Sequence, residues 1–236
     1  MLLLIILLLV ACTSKKTRID GRQFIAVPEP AASKTVTLIL SGYISCKGTE
    51  QECHNFDSQK QNLQKKYENC VARGMRRTAN HVALVRHDDQ VYYPTLNPLI
   101  EEFTRHGEIR TEDIQARLAD TALDYVVSVR ATTHIGDSEL AGFAEGEDGV
   151  FVWGLGQAWE KTAFLEARIY SAKSGLLAAE LTAKLTDHAF WMQTGFVIIP
   201  LIPVGWSPDV EGTNCGEMGE ALGRFFSGAG NGFLEP

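Results

Sequence analysis

Phe164-Leu-Glu-Ala-Arg-Ile-Tyr-Ser-Ala-Lys-Ser-Gly-Leu-Leu-Ala-Ala-Glu-Leu-Thr-Ala-Lys-Leu185 is the stretch that decides the fold. Leu165, Ala167 and Ile169 alternate with Glu166 and Arg168, and Ala179, Leu181, Ala183 and Leu185 alternate with Glu180, Thr182 and Lys184. A period of two belongs to a strand with one face on a core and the other in water. Ser171 to Gly175 supplies the turn between them, so the stretch predicts an antiparallel hairpin.

Working outward, Thr35 to Leu40 alternates in the same way and predicts a strand, with Gly42 beginning the exit and Cys46 to Cys53 in a loop. Phe56 to Met75 carries Phe56, Leu63, Tyr67, Cys70, Val71 and Met75 at helical spacing. His81 to Arg86 reads as a short buried strand. Asn97-Pro98 reads as the start of a short helix, since Asn caps and Pro is tolerated at the first helical position. Thr111 starts another helix, with Glu112 and Asp113 in its first turn and Ile114, Leu118 and Leu123 facing inward. Asp124 to Thr132 follows as a strand. Residues 134–147, rich in Gly, Asp and Glu, read as an exposed loop, and Gly149 to Trp153 as a further strand. Asn214 and Glu217 resemble a capping box opening a last helix lined by Cys215, Met218, Leu222 and Phe225, which Gly228 ends. The order predicts an α+β fold. It has a mixed, largely antiparallel sheet with helices packed on one face, and the C-terminal hairpin is followed by a closing helix.

Met1 to Ala11 is an unbroken apolar run, too short to cross a bilayer but of the length of a signal-peptide core. It ends in Leu9-Val10-Ala11-Cys12, which resembles the lipobox of bacterial lipoproteins. That resemblance implies that residues 1–11 are removed and that Cys12 becomes an acylated, palmitate-bearing first residue. Thr13, in place of aspartate, implies the outer membrane, with the protein facing the periplasm. Only the α-amino group supplies positive charge before the run, so the signal is unusually short or the start lies upstream. Residues 12–34 read as an acylated tether, with the basic cluster Lys15, Lys16 and Arg18 near the anchor and Pro28 and Pro30 in a linker. The domain expected is 35–228, a single α+β unit, followed by a loose tail over 229–236.

The formal net charge is −7, with no basic stripe, which argues against nucleic acid as a partner. Cys46, Cys53, Cys70 and Cys215 remain besides Cys12. In an oxidising envelope they predict two disulfides, with Cys46–Cys53 favoured across a short loop and Cys70–Cys215 joining two helices. The spacing of Cys46, Cys53 and His54 does not suit a structural zinc site.

Three segments carry a second resemblance: Thr111 to Arg130, with Leu123-Asp-Tyr-Val-Val-Ser-Val129; Leu165 to Leu185; and the closing helix. Together, over about residues 110–227, they are similar to the group of envelope lipoproteins that includes the curli-secretion lipoprotein and the activators of penicillin-binding proteins. The resemblance implies a sheet backed by helices and a non-catalytic envelope component. The cysteines and the Pro200/Pro203 segment depart from that pattern, and no amphipathic strand pair long enough to build a secretion pore is evident.

No G-x-S-x-G, H-E-x-x-H or P-loop is present. His87-Asp88-Asp89, and His134 with Asp137, could serve a base or a metal, but a charged turn and a charged loop explain them as well. Phe196-Val-Ile-Ile-Pro-Leu-Ile-Pro-Val-Gly-Trp206 reads as a buried edge strand broken by Pro200. As a functional element it is an exposed apolar loop that docks a partner or dips into a bilayer, through Phe196, Ile199, Pro200, Ile202, Pro203 and Trp206. The expectation is a lipid-anchored protein that binds other envelope components in an assembly or accessory role, with no cofactor, no metal and no catalytic residue. Two alternatives are an envelope enzyme acting on cell-wall or lipid substrates through His and acidic residues, and a structural lipoprotein that self-associates as a homo-oligomer.

Overall fold

The hairpin of residues 164–185 is the middle of a sheet far longer than its alternation announces. A computed structural model describes residues 17–25, 34–46, 60–79, 81–85, 90–147, 150–196 and 199–228. In chain order the elements are β1 (Arg18–Gln23), β2 (Lys34–Cys46), α1 (Lys60–Thr78), β3 (Val82–Val85), α2 (Tyr93–His106), α3 (Thr111–Leu118), β4 (Tyr125–Glu147), β5 (Val150–Ser171), β6 (Leu177–Phe196), β7 (Ile199–Trp206) and α4 (Val210–Phe226). The sheet runs β1-β6-β5-β4-β2-β3, and β7 pairs with the far part of β6. β2 is parallel to β3 and β4, and every other pair is antiparallel. The fold is the α+β class expected.

The helices cover both faces of the sheet rather than one. Tyr67, Val71 and Met75 of α1 and Met218, Leu222 and Phe226 of α4 pack with Val36, Leu38, Val127, Val129, Leu165 and Leu181. On the opposite face, Leu96, Leu99 and Phe103 of α2 and Ile114 and Leu118 of α3 pack with Ile39, Val126 and Tyr170. The reason lies in Leu38-Ile39-Leu40 and Tyr125-Val-Val127, continuous apolar runs of the kind a strand buried on both sides carries.

Other boundaries differ from the reading of the sequence. Residues 18–23, expected as tether, form β1 along β6. α2 begins at Tyr93 with Pro94 in its first turn, and Pro98 lies inside it. Asn97 does not cap: it donates to Glu101 Oε1 at 2.9 Å, one turn on. α4 begins at Val210 with Asp209 as its cap, accepting from the Gly212 amide. Asn214 is fully buried and donates to the carbonyls of Ala163 and Ala183 on β5 and β6, 2.9 and 3.1 Å away. Most consequentially, residues 134–147 are strand, not loop. β4 pairs with β5 from Tyr125↔Ser171 to Glu147↔Val150, with one register shift between Ile135 and Ser138. Gly149 to Trp153, expected as a strand of its own, falls at the start of β5. Strands of 23, 22 and 20 residues contrast with the usual range of about 3–10.

α1 and α4 cross at closely apposed glycines. A Cβ on Gly219 would stand 2.9 Å from Gly74 Cα, and one on Gly74 would stand 2.5 Å from the Gly216 carbonyl oxygen. Cys70 and Cys215 bridge the same crossing, with Cα atoms 5.9 Å apart, and Thr78 Oγ1 donates to the Glu220 carbonyl at 3.2 Å. This is the second of the two disulfides expected. Cys53 and the side chain of Cys46 lie outside the described residues. Gly219→Val is expected to cost about 3 kcal/mol or more, because backbone opposes the new atoms and overpacking is not relieved by a rotamer. Gly216→Ala, where a Cβ meets nothing within 4 Å, is expected to be neutral or slightly stabilising. Thermal unfolding of both variants checks this; equal melting temperatures would contradict the close crossing.

Candidate functional site

The apolar core ends where the helices end, and the sheet continues without them. Ala163, Leu185 and Val210 form the last buried apolar cluster. At this row and just beyond it, the core face carries polar side chains. Lys161 of β5 contacts both carboxylate oxygens of Glu211, at 2.8 and 2.9 Å. Thr133 of β4 donates to Glu211 Oε1 at 3.4 Å and lies 3.1 Å from the hydroxyl of Tyr67 on α1. The Lys161 and Glu211 side chains are only 14% and 9% exposed. Glu211 sits in the first turn of α4, where the helix dipole favours a carboxylate.

Burial pushes the Tyr67 phenol well above its ordinary value, and the Glu211 and Asp209 charges add to this despite the Thr133 hydrogen bond. Tyr67 is therefore a neutral hydrogen-bonding group at any ordinary pH. Beside the network, Lys66 of α1 contacts Asp209 at 2.8 Å. Partial burial of Asp209 pushes its carboxyl up, but the Lys66 contact and the Gly212 amide outweigh that and hold it below the usual range. Four elements are thus tied together at one level: α1, α4, β4 and β5.

Beyond this level lies a four-stranded antiparallel extension, in the order β4-β5-β6-β7. The described pairing of β2 with β4 runs to Cys46↔Ile135, and β7 joins β6 from Phe190↔Trp206 outward. Among the described residues nothing pairs with the outer edge of β4 past that point, or with the outer edge of β7. Within the Phe196 to Trp206 segment, Ile199–Trp206 forms β7, an edge strand among the described residues, and Pro200 lies within it rather than breaking it. That position suits proline, which gives no donor to a further strand. Of the residues expected to dock a partner, Ile199, Pro200, Ile202, Pro203 and Trp206 are in β7, and Phe196 ends β6. Their side chains lie outside the described residues.

The histidines among the described residues do not gather. His81 is 3.1 Å from the Phe226 carbonyl at the end of α4, His106 ends α2, His134 is in β4 and His188 is in β6. His87, Asp88, Asp89 and His54, and the Asp137 side chain, lie outside the described residues. Among the described residues no group of three His, Cys, Asp or Glu side chains could hold a metal ion. A cavity of about 490 Å³ opens at the end of α2, lined by Glu101, Glu102, Arg105, His106, Glu108 and Arg110. Its charges are largely paired: Arg110 contacts Glu102 and Asp113, and Glu108 contacts Arg168.

The described residues form a mixed α+β body carrying a long antiparallel sheet. No family model and no curated protein matches the chain. Solved structures to which it is similar include the PelC dodecamer from Paraburkholderia phytofirmans, at 12% identity and a TM-score of 0.35 over 94% of this chain and 100% of that one. A neuraminyllactose-binding hemagglutinin homolog from Helicobacter pylori is 12% identical, with a TM-score of 0.32 over 90% and 87% of the two chains. Lipoprotein GNA1162 from Neisseria meningitidis is 10% identical, with a TM-score of 0.20 over 71% and 86%. Likenesses of this size assign no family.

Proposed function

We propose that this chain is a lipid-anchored protein of the bacterial envelope, held at the outer membrane and facing the periplasm. It acts by binding other envelope components rather than by catalysis. The observation that carries this reading is the four-stranded extension, whose two long edges are templates for further strands. The lipobox residues Leu9 to Cys12 supply the anchor, and the Cys70–Cys215 bond suits an oxidising compartment. Among the described residues no helix is long and apolar enough to cross a membrane, so attachment falls to the acyl chains or to strands.

Cys12→Ala is expected to abolish palmitate labelling and to move the protein from the membrane fraction to the soluble one. Labelling that persists in the variant would refute the anchor. Association is tested on the intact, detergent-extracted protein by size measurement with and without Ile199→Asp at the start of β7. A wild-type particle no larger than one chain, with no co-purifying component, would refute binding through this edge.

A further inference from the structure

β3 is the shortest strand of the sheet and ends it on one side. Its described neighbour is β2, which runs parallel to it from Lys34↔Val82 to Thr37↔Val85. The Lys34 amide donates to the His81 carbonyl at 3.2 Å, and this fixes the phase of the ladder. Thr35 faces the other way, since its carbonyl accepts from the Asp124 amide at 2.8 Å, at the start of β4. Alternate residues of a parallel strand serve opposite neighbours. His81, Ala83 and Val85 therefore turn their ladder groups towards β2. Leu84 turns both its N–H and its C=O outward, and Val82 turns out its C=O. The Val82 amide is already used by the Ala79 carbonyl, at 3.2 Å. Among the described residues no strand pairs with β3 on that outer side.

The same edge is apolar on both faces of the sheet. Val82 and Leu84 are half-buried at the margin of the core under α1 and α4. Val85 is half-buried at the margin of the core under α2 and α3. Successive residues of a strand point to opposite faces, so one further strand would extend both cores at once.

α4 brings the chain to this edge. The carbonyl of Phe226, its last residue, is 3.1 Å from His81 Nε2, and His81 directly precedes Val82. Gly228, with φ 71°, takes the left-handed conformation that ends a helix. Ala229-Gly-Asn-Gly-Phe-Leu-Glu-Pro236 follows, outside the described residues. The five residues from Gly228 to Phe233 span at most about 18 Å. Leu84 is two residues past Val82, about 7 Å along β3. Phe233 and Leu234 therefore come within reach of the outward groups of β3, and as neighbours in sequence they would face opposite sides of the sheet.

We propose that residues 229–236 return along β3 as a further strand, with Phe233 and Leu234 turned one to each core margin. The segment starts beside His81 and so runs the way β3 runs, parallel to it. It is an edge guard: an open strand edge is a template for foreign strands, and the end of this chain occupies the place one would take. A second copy is the poorer occupant. Pairing along a four-residue strand falls well short of the roughly 1,200 Å² that a stable interface buries. A segment already joined beside the edge meets it at an effective concentration in the millimolar range. The inference goes beyond the binding role proposed above and does not depend on the lipid anchor.

The test is amide-resolved hydrogen exchange on the full-length, detergent-extracted protein, beside a variant that stops after Gly228 and beside Leu234→Asp. In the wild type the Leu84 amide is expected to be protected. In both variants its exchange should quicken by about tenfold or more, with smaller changes at the Ala83 and Val85 amides, which face β2. The Cys70–Cys215 bond and an unchanged circular dichroism spectrum report that the body stays folded in each. A Leu84 amide that exchanges as fast in the wild type as in the shortened chain would overturn the proposal. Protection that survives the shortening would overturn it too, and if that protection fades on dilution the occupant is a second copy. An equal rise at all three amides would mean that β3 loosens as a whole, and would likewise overturn pairing by this segment.

Discussion

Removing the Cys70–Cys215 bond, as in the Cys70→Ala/Cys215→Ala variant, is expected to lower the unfolding free energy by about 4–5 kcal/mol. The two residues are 145 apart in sequence, and the bond closes residues 70–215, the larger part of the folded chain, into a loop. A cross-link of that span removes a large share of the unfolded chain's freedom, about 4.7 kcal/mol for a 100-residue loop and slightly more here. Alanine is the right replacement because Cys215 is fully buried, so serine would add the cost of an unmatched hydroxyl. The native state should hardly notice the loss. Gly74 and Gly219 still bring the helices together, and Tyr67, Val71, Met75, Met218 and Leu222 still fill the space beneath them. The prediction is therefore a lower denaturant midpoint with the same folded spectrum, and faster loss of structure in a reducing buffer for the wild type alone. A change under 1 kcal/mol would mean that the unfolded chain already keeps α1 and α4 together.

The parts of this fold that were legible in the sequence are those with charge on one face and none on the other. Glu166, Arg168, Glu180 and Lys184 mark the wet side of the central hairpin, and its strands pair through Ala167↔Leu181 as the alternation requires. The Cys70–Cys215 pair was legible too, because both cysteines fall on the apolar stripes of amphipathic helices. The extension was not. Over residues 134–147 Gly, Asp and Glu occupy many positions and few large apolar residues alternate with them, so the period of two has little contrast and composition alone says loop. What overrides composition is pairing: each residue of 138–147 has a partner among 150–159. Asn214 misled for a similar reason. A cap is made by the residue that reaches the free amides of the first turn, and Asp209 does so, while Asn214 reaches strand carbonyls distant in sequence.

Lys161 was the least legible residue of the site, since a lysine in an alternating strand reads as solvent-facing and its partner Glu211 lies 50 positions on. Its removal is expected to have the second large effect. In Lys161→Met, Glu211 keeps its charge at 9% exposure with no cation against it, and breaking a buried pair from one side costs about 3–5 kcal/mol. Glu211→Leu should cost about as much by stranding the lysine. The double variant Lys161→Met/Glu211→Leu removes both charges, and replacing a buried pair by apolar groups of similar volume is often neutral. Thr133 and Tyr67 still have each other at 3.1 Å, so no new orphan hydroxyl arises. Stability should therefore fall in either single variant and return to within about 1 kcal/mol of wild type in the double, a coupling that denaturant unfolding of the four proteins measures. Additive losses would mean that the two side chains act separately. Because Lys161 stands opposite Ile135, where the register of β4 shifts before Ser138, the single variants should also loosen the root of the extension first. Hydrogen exchange at the amides of Trp159 to Thr162 should rise before that of Leu165 to Ile169, whose apolar face is buried in the core with α1 and α4.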